Sequence, residues 1–455
     1  MNKSNYNFIL KKDGKTVAFN TMTCALAEVE DDFLNMLDKI ENINYEDLDD
    51  NQKELFNNMK NSGYIVEDEA YEIKELKFRN FTSRYQEGVL GLTIAPTLNC
   101  NFKCIYCYET PKNVTMTQEI QDCIIDFVMK KISTIKELDI TWYGGEPLLC
   151  KDIIYNLSKK LIAICNENKI KYSAYMITNG YLLDDETIEN YKKYKIRGAQ
   201  LTVDGPKEIH NSRRILKSGK DDNFDRVISA IKRLKENNLQ PGVRINIDKS
   251  NIQYLDNLLE FFKNNGMSDV GIHLGQVTEY TKACKSISGY CYDTEEFSDL
   301  SLEFQKKLNK NGFKGGIGSI YYPSLKGNYC GADQINSFVI DPEGYIYKCW
   351  NEIGNTNKSI ENVKNIKEEK IPETFQFNNT LDYMSYSPFD SEKCSECKLL
   401  PICMGGCPYF RVNGDDEACE KWKYNLEEII KYTCCCNEEY PEEFEKIFGE
   451  NCKCC

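Results

Sequence analysis

The stretch Gly88-Val-Leu-Gly-Leu-Thr-Ile-Ala95, run on through Pro96-Thr-Leu-Asn to Cys100-Asn-Phe-Lys-Cys104-Ile-Tyr-Cys107, decides the reading of this chain. Its first half is a short apolar run, which predicts a buried strand. Its second half sets three cysteines with three and then two residues between them. Tightly spaced thiols in a long chain of this kind point to metal rather than to disulfides. Three thiolates can hold three irons of a [4Fe–4S] cube and leave the fourth iron open. A zinc knuckle or three structural thiols are the alternatives that the triplet alone leaves standing.

Outward from this stretch, apolar strands alternate with amphipathic helices up to about residue 280. Candidate strands follow at 138–143, 172–178, 199–203, 242–247 and 270–276, and Ile120, Ile124, Phe127 and Val128 mark one helix face between them. Repeated βα units imply a parallel sheet with right-handed crossovers, here a partial (β/α)6 barrel of α/β class. The unusual residues fall just past strand ends. The cysteines follow the first strand, Gly144-Gly-Glu-Pro147 the second, Thr178-Asn-Gly180 the third and Asp204-Gly-Pro206 the fourth. Active sites of barrel folds are built from those loops.

With that placement, the cysteine string resembles the C-x3-C-x2-C signature of the radical S-adenosylmethionine (SAM) enzymes, and Gly144 to Pro147 resembles their GGEP motif. The resemblance implies SAM on the open iron, reductive cleavage to a 5′-deoxyadenosyl radical, and a flavodoxin or ferredoxin as electron donor. It implies Cys100, Cys104 and Cys107 as catalytic cluster ligands, and Gly144, Gly145 and Glu146 around the SAM methionine. Tyr106 would lie near the adenine. Asn179, Asp204 and Arg244 would be partners of the ribose or carboxylate. His210-Asn-Ser-Arg-Arg214 resembles a segment often found after the fourth strand.

A second pattern follows Cys330: Gly344-Tyr-Ile-Tyr-Lys-Cys349, then Cys394, Cys397, Cys403, Cys407 and Cys419. It resembles the SPASM domain at all seven cysteine positions. By that resemblance Cys330, Cys349 and Cys407 hold one auxiliary [4Fe–4S] cluster, and Cys394, Cys397, Cys403 and Cys419 hold another, making three clusters in all. SPASM enzymes that mature sulfatases carry a further cysteine just before the first and an aspartate after the G-x4-C cysteine. Here Ser324 to Tyr329 contain no cysteine, and Trp350 follows Cys349. The first auxiliary cluster is therefore expected to have an open iron, unless Cys284 or Cys291 fills it.

Residues 1–85 read as a separate winged-helix-like unit, with a hairpin through Asp13-Gly14 and helical spacing at Phe33, Met36, Leu37 and Ile40. It resembles the leader-peptide recognition domains of radical SAM peptide maturases, and a packing role is the alternative. Glu67 to Gln86 reads as a linker. The barrel spans 86–285, the SPASM domain 286–425 and a Cys-rich tail 426–455. Cys24, Cys123 and Cys165 fall on apolar patterns as core. The tail, Cys434-Cys-Cys436 through Cys452-Lys-Cys454-Cys455, falls outside the SPASM pattern. Another metal, a thiol relay, a mimic of a Cys-rich substrate and inert thiols all account for it.

With 455 residues, 22 cysteines, a net charge of −14 and no signal-peptide or membrane-spanning run, the chain reads as cytoplasmic. It is expected to have no nucleic-acid and no membrane partner. The function read is maturation of a ribosomally made, leader-bearing, Cys-containing precursor peptide, by thioether crosslinking. Carbon–carbon crosslinking, formylglycine formation or decarboxylation are the alternatives within the family. An RNA-modifying enzyme and a non-enzymatic electron carrier are the readings outside it.

Overall fold

The computed structural model describes residues 1–12, 14–279, 287–313, 322–367, 378–415 and 418–439. Strands β1 (Asn2–Lys3), β2 (Asn7–Lys12), β3 (Lys15–Asn20) and β4 (Ala25–Val29) precede helices α1 (Asp31–Lys39) and α2 (Asp50–Asn61). Then come β5 (Ile65–Val66) and α3 (Glu69–Arg84). The hairpin read at Gly14 is present as β2 and β3, and β4 adds a third antiparallel strand. Asp13 lies outside the described residues.

The expected linker at Glu67 to Gln86 is instead the sixteen-residue helix α3. Its inward face is Glu72, Leu76, Asn80 and Arg84, a column of i, i+4 spacing in which only one residue is apolar. No apolar period marks it, which is why it reads as polar linker. Asp68 caps its first turn through the backbone N–H of Ala70 at 2.9 Å. Arg84 anchors its end, donating at 2.9 to 3.0 Å to the carbonyls of Asp333, Tyr383, Met384 and Tyr386. The N-terminal sheet also shares a core with the far end of the chain. Val17, Phe19 and Leu26 pack with Ile402, Trp422, Leu426 and Ile429.

The central sheet follows the βα alternation. Its strands are β6 (Val89–Ile94), β8 (Glu137–Trp142), β9 (Lys171–Ile177), β10 (Ile196–Thr202), β12 (Gln240–Ile247) and β13 (Gly271–Gln276), each parallel to the next. A small side ribbon pairs β7 (Phe102–Cys104) with β11 (Arg214–Leu216). The intervening helices are α4 (Gln118–Lys131), α5 (Lys151–Glu167), α6 (Asp185–Lys193), α7 (Lys207–Arg213), α8 (Asn223–Glu236) and α9 (Leu255–Asn264).

Alternation along the strands separates two environments. Leu90, Leu92 and Ile94 face the helices, where Ile120, Ile124, Phe127 and Val128 of α4 cover them. Full burial of each such side chain is worth about 1.5–3 kcal/mol. The other face is polar or small: Thr93, Asp139, Thr141, Gln200, Thr202, Arg244 and Asn246 are only half-buried. A parallel sheet with both faces dry would be apolar on both. Here the inner face is built to hold a ligand.

The C-terminal part continues this sheet. After α10 (Thr294–Lys310), strand β14 (Ser337–Ile340) pairs parallel with β6, and β15 (Tyr345–Tyr347) and β16 (Glu361–Asn362) add antiparallel. Short helices α11 (Asn378–Ser385), α12 (Glu392–Ser395), α13 (Leu400–Cys403) and α14 (Pro408–Val412) follow, with Cys394 in α12, Cys403 in α13 and Cys407 at the start of α14, and α15 (Trp422–Glu439) closes the described chain. Cys123 and Cys165 are core, as expected, whereas Cys24 is half-buried at a core edge with φ 57°. No helix among the described residues is long and apolar enough to cross a membrane.

Candidate active site

A cavity of about 330 Å³ lies at the C-terminal strand ends. Cys100, Cys104 and Cys107 line one wall, and Gly144, Gly145, Asn179 and Arg244 also border it. Burial, with Glu146 next, pushes the Cys100 thiol up to about 12, and burial raises Cys104 and Cys107 as well. Thiols held this way ionise only against positive charge, so their chemistry suits metal ligation more than free nucleophilicity.

The two glycines are required by the chain's own packing. Gly144 has φ 110°, and a Cβ there would lie 2.5 Å from the carbonyl of Thr97. A Cβ on Gly145 would lie 2.4 Å from the carbonyl of Asn99. The second βα turn is thereby laid backbone to backbone on the segment that leads into the cysteines. The N–H of Glu146 donates to the carbonyl of Asn99 at 2.9 Å.

Glu146 is fully buried behind this wall. Its carboxylate accepts from the Thr178 hydroxyl at 2.7 Å, the N–H of Asn179 at 2.7 Å and the N–H of Leu148 at 2.9 Å. Burial raises its pKa against those bonds. The structure thus places Glu146 as the brace between the second and third loops. Asn179 reaches the cysteine loop, donating to Asn101 at 2.7 Å, with its Nδ2 3.8 Å from Cys100 Sγ.

Tyr106, Asp204 and two arginines form a buried network under Cys104. The Tyr106 hydroxyl donates to Asp204 and accepts from Arg214 at 2.7 Å. Asp204 also accepts from the N–H of Asn246 at 3.0 Å. Arg213 is paired with Asp248 at 2.7 Å. Arg244 donates to Asn246 at 2.8 Å and passes over Gly275, where a Cβ would lie 2.3 Å from its Nε. Burial and Arg244 together lower His273 to about 4.

Several wall residues carry no spacing that singles them out: Tyr108, Glu109, Tyr143, Arg214 and Asn351. Tyr143 was legible only as the residue before Gly144, and Arg214 only as the end of an unassigned segment. Burial raises Glu109 to about 7. The hydroxyls of Tyr108 and Tyr143 are hydrogen-bonded. Trp350, 44 % exposed, also borders the cavity. Cys291 packs with Val277, Ile287, Tyr106 and Tyr108 beside the cysteine loop. Cys284 and the tail from residue 440 lie outside the described residues, as do the side chains of Cys435 and Cys436.

The later cysteines form two further groups. Cys394, Cys397, Cys403 and Cys419 line one small cavity of about 50 Å³. Gly406, at φ 81°, lets this loop close: a Cβ there would lie 2.0 Å from the carbonyl of Ala418, the neighbour of Cys419. Cys330, Cys349 and Cys407 are near enough that each of the first two feels the charge of Cys407, and Cys349 that of Cys330. Lys348, lowered to about 7 by burial, donates beside them to the carbonyl of Ser337 at 2.8 Å. Among the described residues no three His, Cys, Asp or Glu side chains converge on one ion-sized point. Cys100, Cys104 and Cys107 border one cavity and Cys394, Cys397, Cys403 and Cys419 another, and thiolates grouped in this way suit an iron–sulfur cluster.

Residues 94–262 match the family model of the radical SAM superfamily. The chain is 24 % identical over 383 residues to a cysteine-type anaerobic sulfatase-maturating enzyme of Clostridium perfringens, covering 79 % of this chain and 96 % of the relative. It is 23 % identical to the radical SAM cyclopropyl synthase TigE of Paramaledivibacter caminithermalis, over 93 % of this chain and 94 % of that one. In fold it resembles Streptococcus suis SuiB bound to its precursor peptide SuiA, with a TM-score of 0.53 at 17 % identity, over 92 % and 98 % of the two chains.

Proposed function

The chain belongs to the radical SAM superfamily as a SPASM-type maturase, and on that premise we propose that it crosslinks a ribosomally made, Cys-containing precursor peptide through a thioether. Cys100, Cys104 and Cys107 would hold the [4Fe–4S] cluster, and the Arg244 end of the cavity would take the SAM carboxylate. When bound, the reduced cluster and SAM supply a one-electron cleavage whose 5′-deoxyadenosyl radical removes a substrate hydrogen atom.

The protein's own residues orient and enclose. Gly144 and Gly145 shape the wall, Glu146 braces it, and Asn179 and Tyr106 fix the cysteine loop. Two auxiliary clusters, on Cys330, Cys349 and Cys407 and on Cys394, Cys397, Cys403 and Cys419, would complete the set. A precursor's leader would be recognised by residues 1–85, and a flavodoxin or ferredoxin would supply electrons.

The observation that carries thioether chemistry is the junction at Cys349. Its neighbours Trp350 and Asn351 border the cavity of Cys100, Cys104 and Cys107. The group of Cys330, Cys349 and Cys407 would therefore adjoin the site of hydrogen removal. A substrate thiolate fixed there would meet the carbon radical without diffusional search. Reconstituted enzyme given SAM, reductant and a Cys peptide is expected to yield a product two hydrogens lighter, with one alkylatable thiol fewer per crosslink. Retention of every thiol in the lighter product would refute the thioether. That outcome is the second reading, carbon–carbon bond formation, which the coverage shared with the cyclopropyl synthase supports.

A further inference from the structure

Arg213 and Arg214 are neighbours in sequence with opposite surroundings. Arg213 holds Asp248 through two nitrogens, at 2.7 and 3.1 Å, in an ion pair buried at both ends. Arg214 is as buried, 6 % exposed, yet among the described residues no carboxylate oxygen lies within 4.0 Å of its guanidinium. Its Nη1 donates to the Tyr106 hydroxyl, and its buried Nε has no partner. Its strand, β11, lies against β7 with Arg214 directly opposite Cys104. Its guanidinium stands 5.5 Å over the Phe102 ring and borders the cavity of the three thiols.

A buried charge is costly unless an opposite charge answers it. Asp204 answers part of it through Tyr106. Beyond the buried carboxylates of Asp204 and Glu146, the thiol set is the anionic partner on that side. Arg214 is a buried cation held directly across the ribbon from Cys104, at the border of the cavity the three thiols line.

We propose that Arg214 is the counter-charge of the Cys100, Cys104 and Cys107 site, a positioning residue that favours the electron taken up by the group they hold. This rests on the reading of those cysteines as cluster ligands and extends it. Taking one electron from a low-potential one-electron donor adds one negative charge to the site. A fixed positive charge close by, in a medium of low dielectric, stabilises the reduced form more than the oxidised one. Removing it shifts the reduction potential downward.

The test uses reconstituted full-length enzyme and three variants, Arg214→Gln, Arg214→Lys and Tyr106→Phe. The readouts are iron content and an EPR-monitored redox titration of the signal that responds to added SAM. In Arg214→Gln the reduced-to-oxidised ratio at a fixed potential is expected to fall about tenfold, which is 59 mV for a one-electron couple. Arg214→Lys and Tyr106→Phe, which keep the charge, are expected to titrate with the parent. Loss of iron from Arg214→Gln alone also supports the charge role. The proposal is overturned if Arg214→Gln titrates with the parent, or if Arg214→Lys shifts or loses iron as the glutamine variant does, since the residue is then structural. A SAM-responsive signal that survives Cys104→Ala would remove the parent reading instead, independently of the arginine variants.

Discussion

Trp350 lies nearly parallel to Tyr143, with ring centroids 5.6 Å apart and planes 23° apart. Trp350 directly follows Cys349, and Tyr143 directly precedes Gly144. This one stacked pair therefore joins the C-terminal cysteine groups to the barrel's second loop. It also forms an aromatic part of the cavity wall.

If that wall receives the substrate peptide, Trp350→Ala removes both the stack and a contact surface. An aromatic pair of this kind is worth about 0.5–1.5 kcal/mol beyond its area, so peptide affinity is expected to fall roughly threefold to tenfold. SAM cleavage without peptide is expected to persist. Peptide titration followed by the quenching of Trp350 fluorescence in the parent, and product formation in both proteins, checks this.

Arg84 gives a stability prediction. Its guanidinium ties the end of α3 to the carbonyls of Tyr383 and Met384 beside the first auxiliary thiols, and the Tyr85 hydroxyl also donates to Met384 at 3.0 Å. Arg84→Ala leaves several buried acceptors unmet, at a cost on the order of 3 kcal/mol. Urea unfolding of the metal-free protein measures it, and Arg84→Lys is expected to fall between the two.

Those two pairs mark where the sequence was legible and where it was not. The six parallel strands stand within a few residues of their expected places, because strands backed by helices alternate strongly. The cysteine groups were visible because thiols at fixed spacing have few other uses. Helix α3 reads as a linker because its inward face is Glu72, Asn80 and Arg84, whose partners are distant in sequence: Ser4 and Asn5 for Glu72, Gly327 for Asn80, Asp333 and Tyr383 for Arg84. The pairing of β14 with β6 left no local mark either. Gly144 and Gly145 were expected to admit a ligand, and their closest approaches are to Thr97 and Asn99. Glu146 is expected beside SAM, and what its motif does not reveal is that its carboxylate also accepts from Leu148, Thr178 and Asn179. Spacing locates a motif on a rim, but only tertiary neighbours say which way each side chain turns.

Glu352, in the turn after Cys349, gives a pH prediction. Burial raises it to about 7. The folded state then binds its proton more tightly than the unfolded one. Its contribution to stability is full below the ordinary value of 4.5 and is lost as the pH rises through about 7. In metal-free protein Glu352→Gln is expected to flatten the fall in stability between those values, by on the order of 1–2 kcal/mol. Glu109, raised in the same way, keeps part of the slope in the variant. Urea melts at pH 5 and pH 8 decide it.

The central claim is that a substrate thiolate is held at Cys330, Cys349 and Cys407, next to the cavity where hydrogen is removed. The most direct measurement is the EPR spectrum of the reduced, reconstituted enzyme with a Cys peptide, with its Ser counterpart, and with neither. The account predicts that the Cys peptide alone changes the signal assigned to that group, and that Cys330→Ala abolishes the change. Identical spectra with the Cys and Ser peptides, under conditions where both bind, would contradict it.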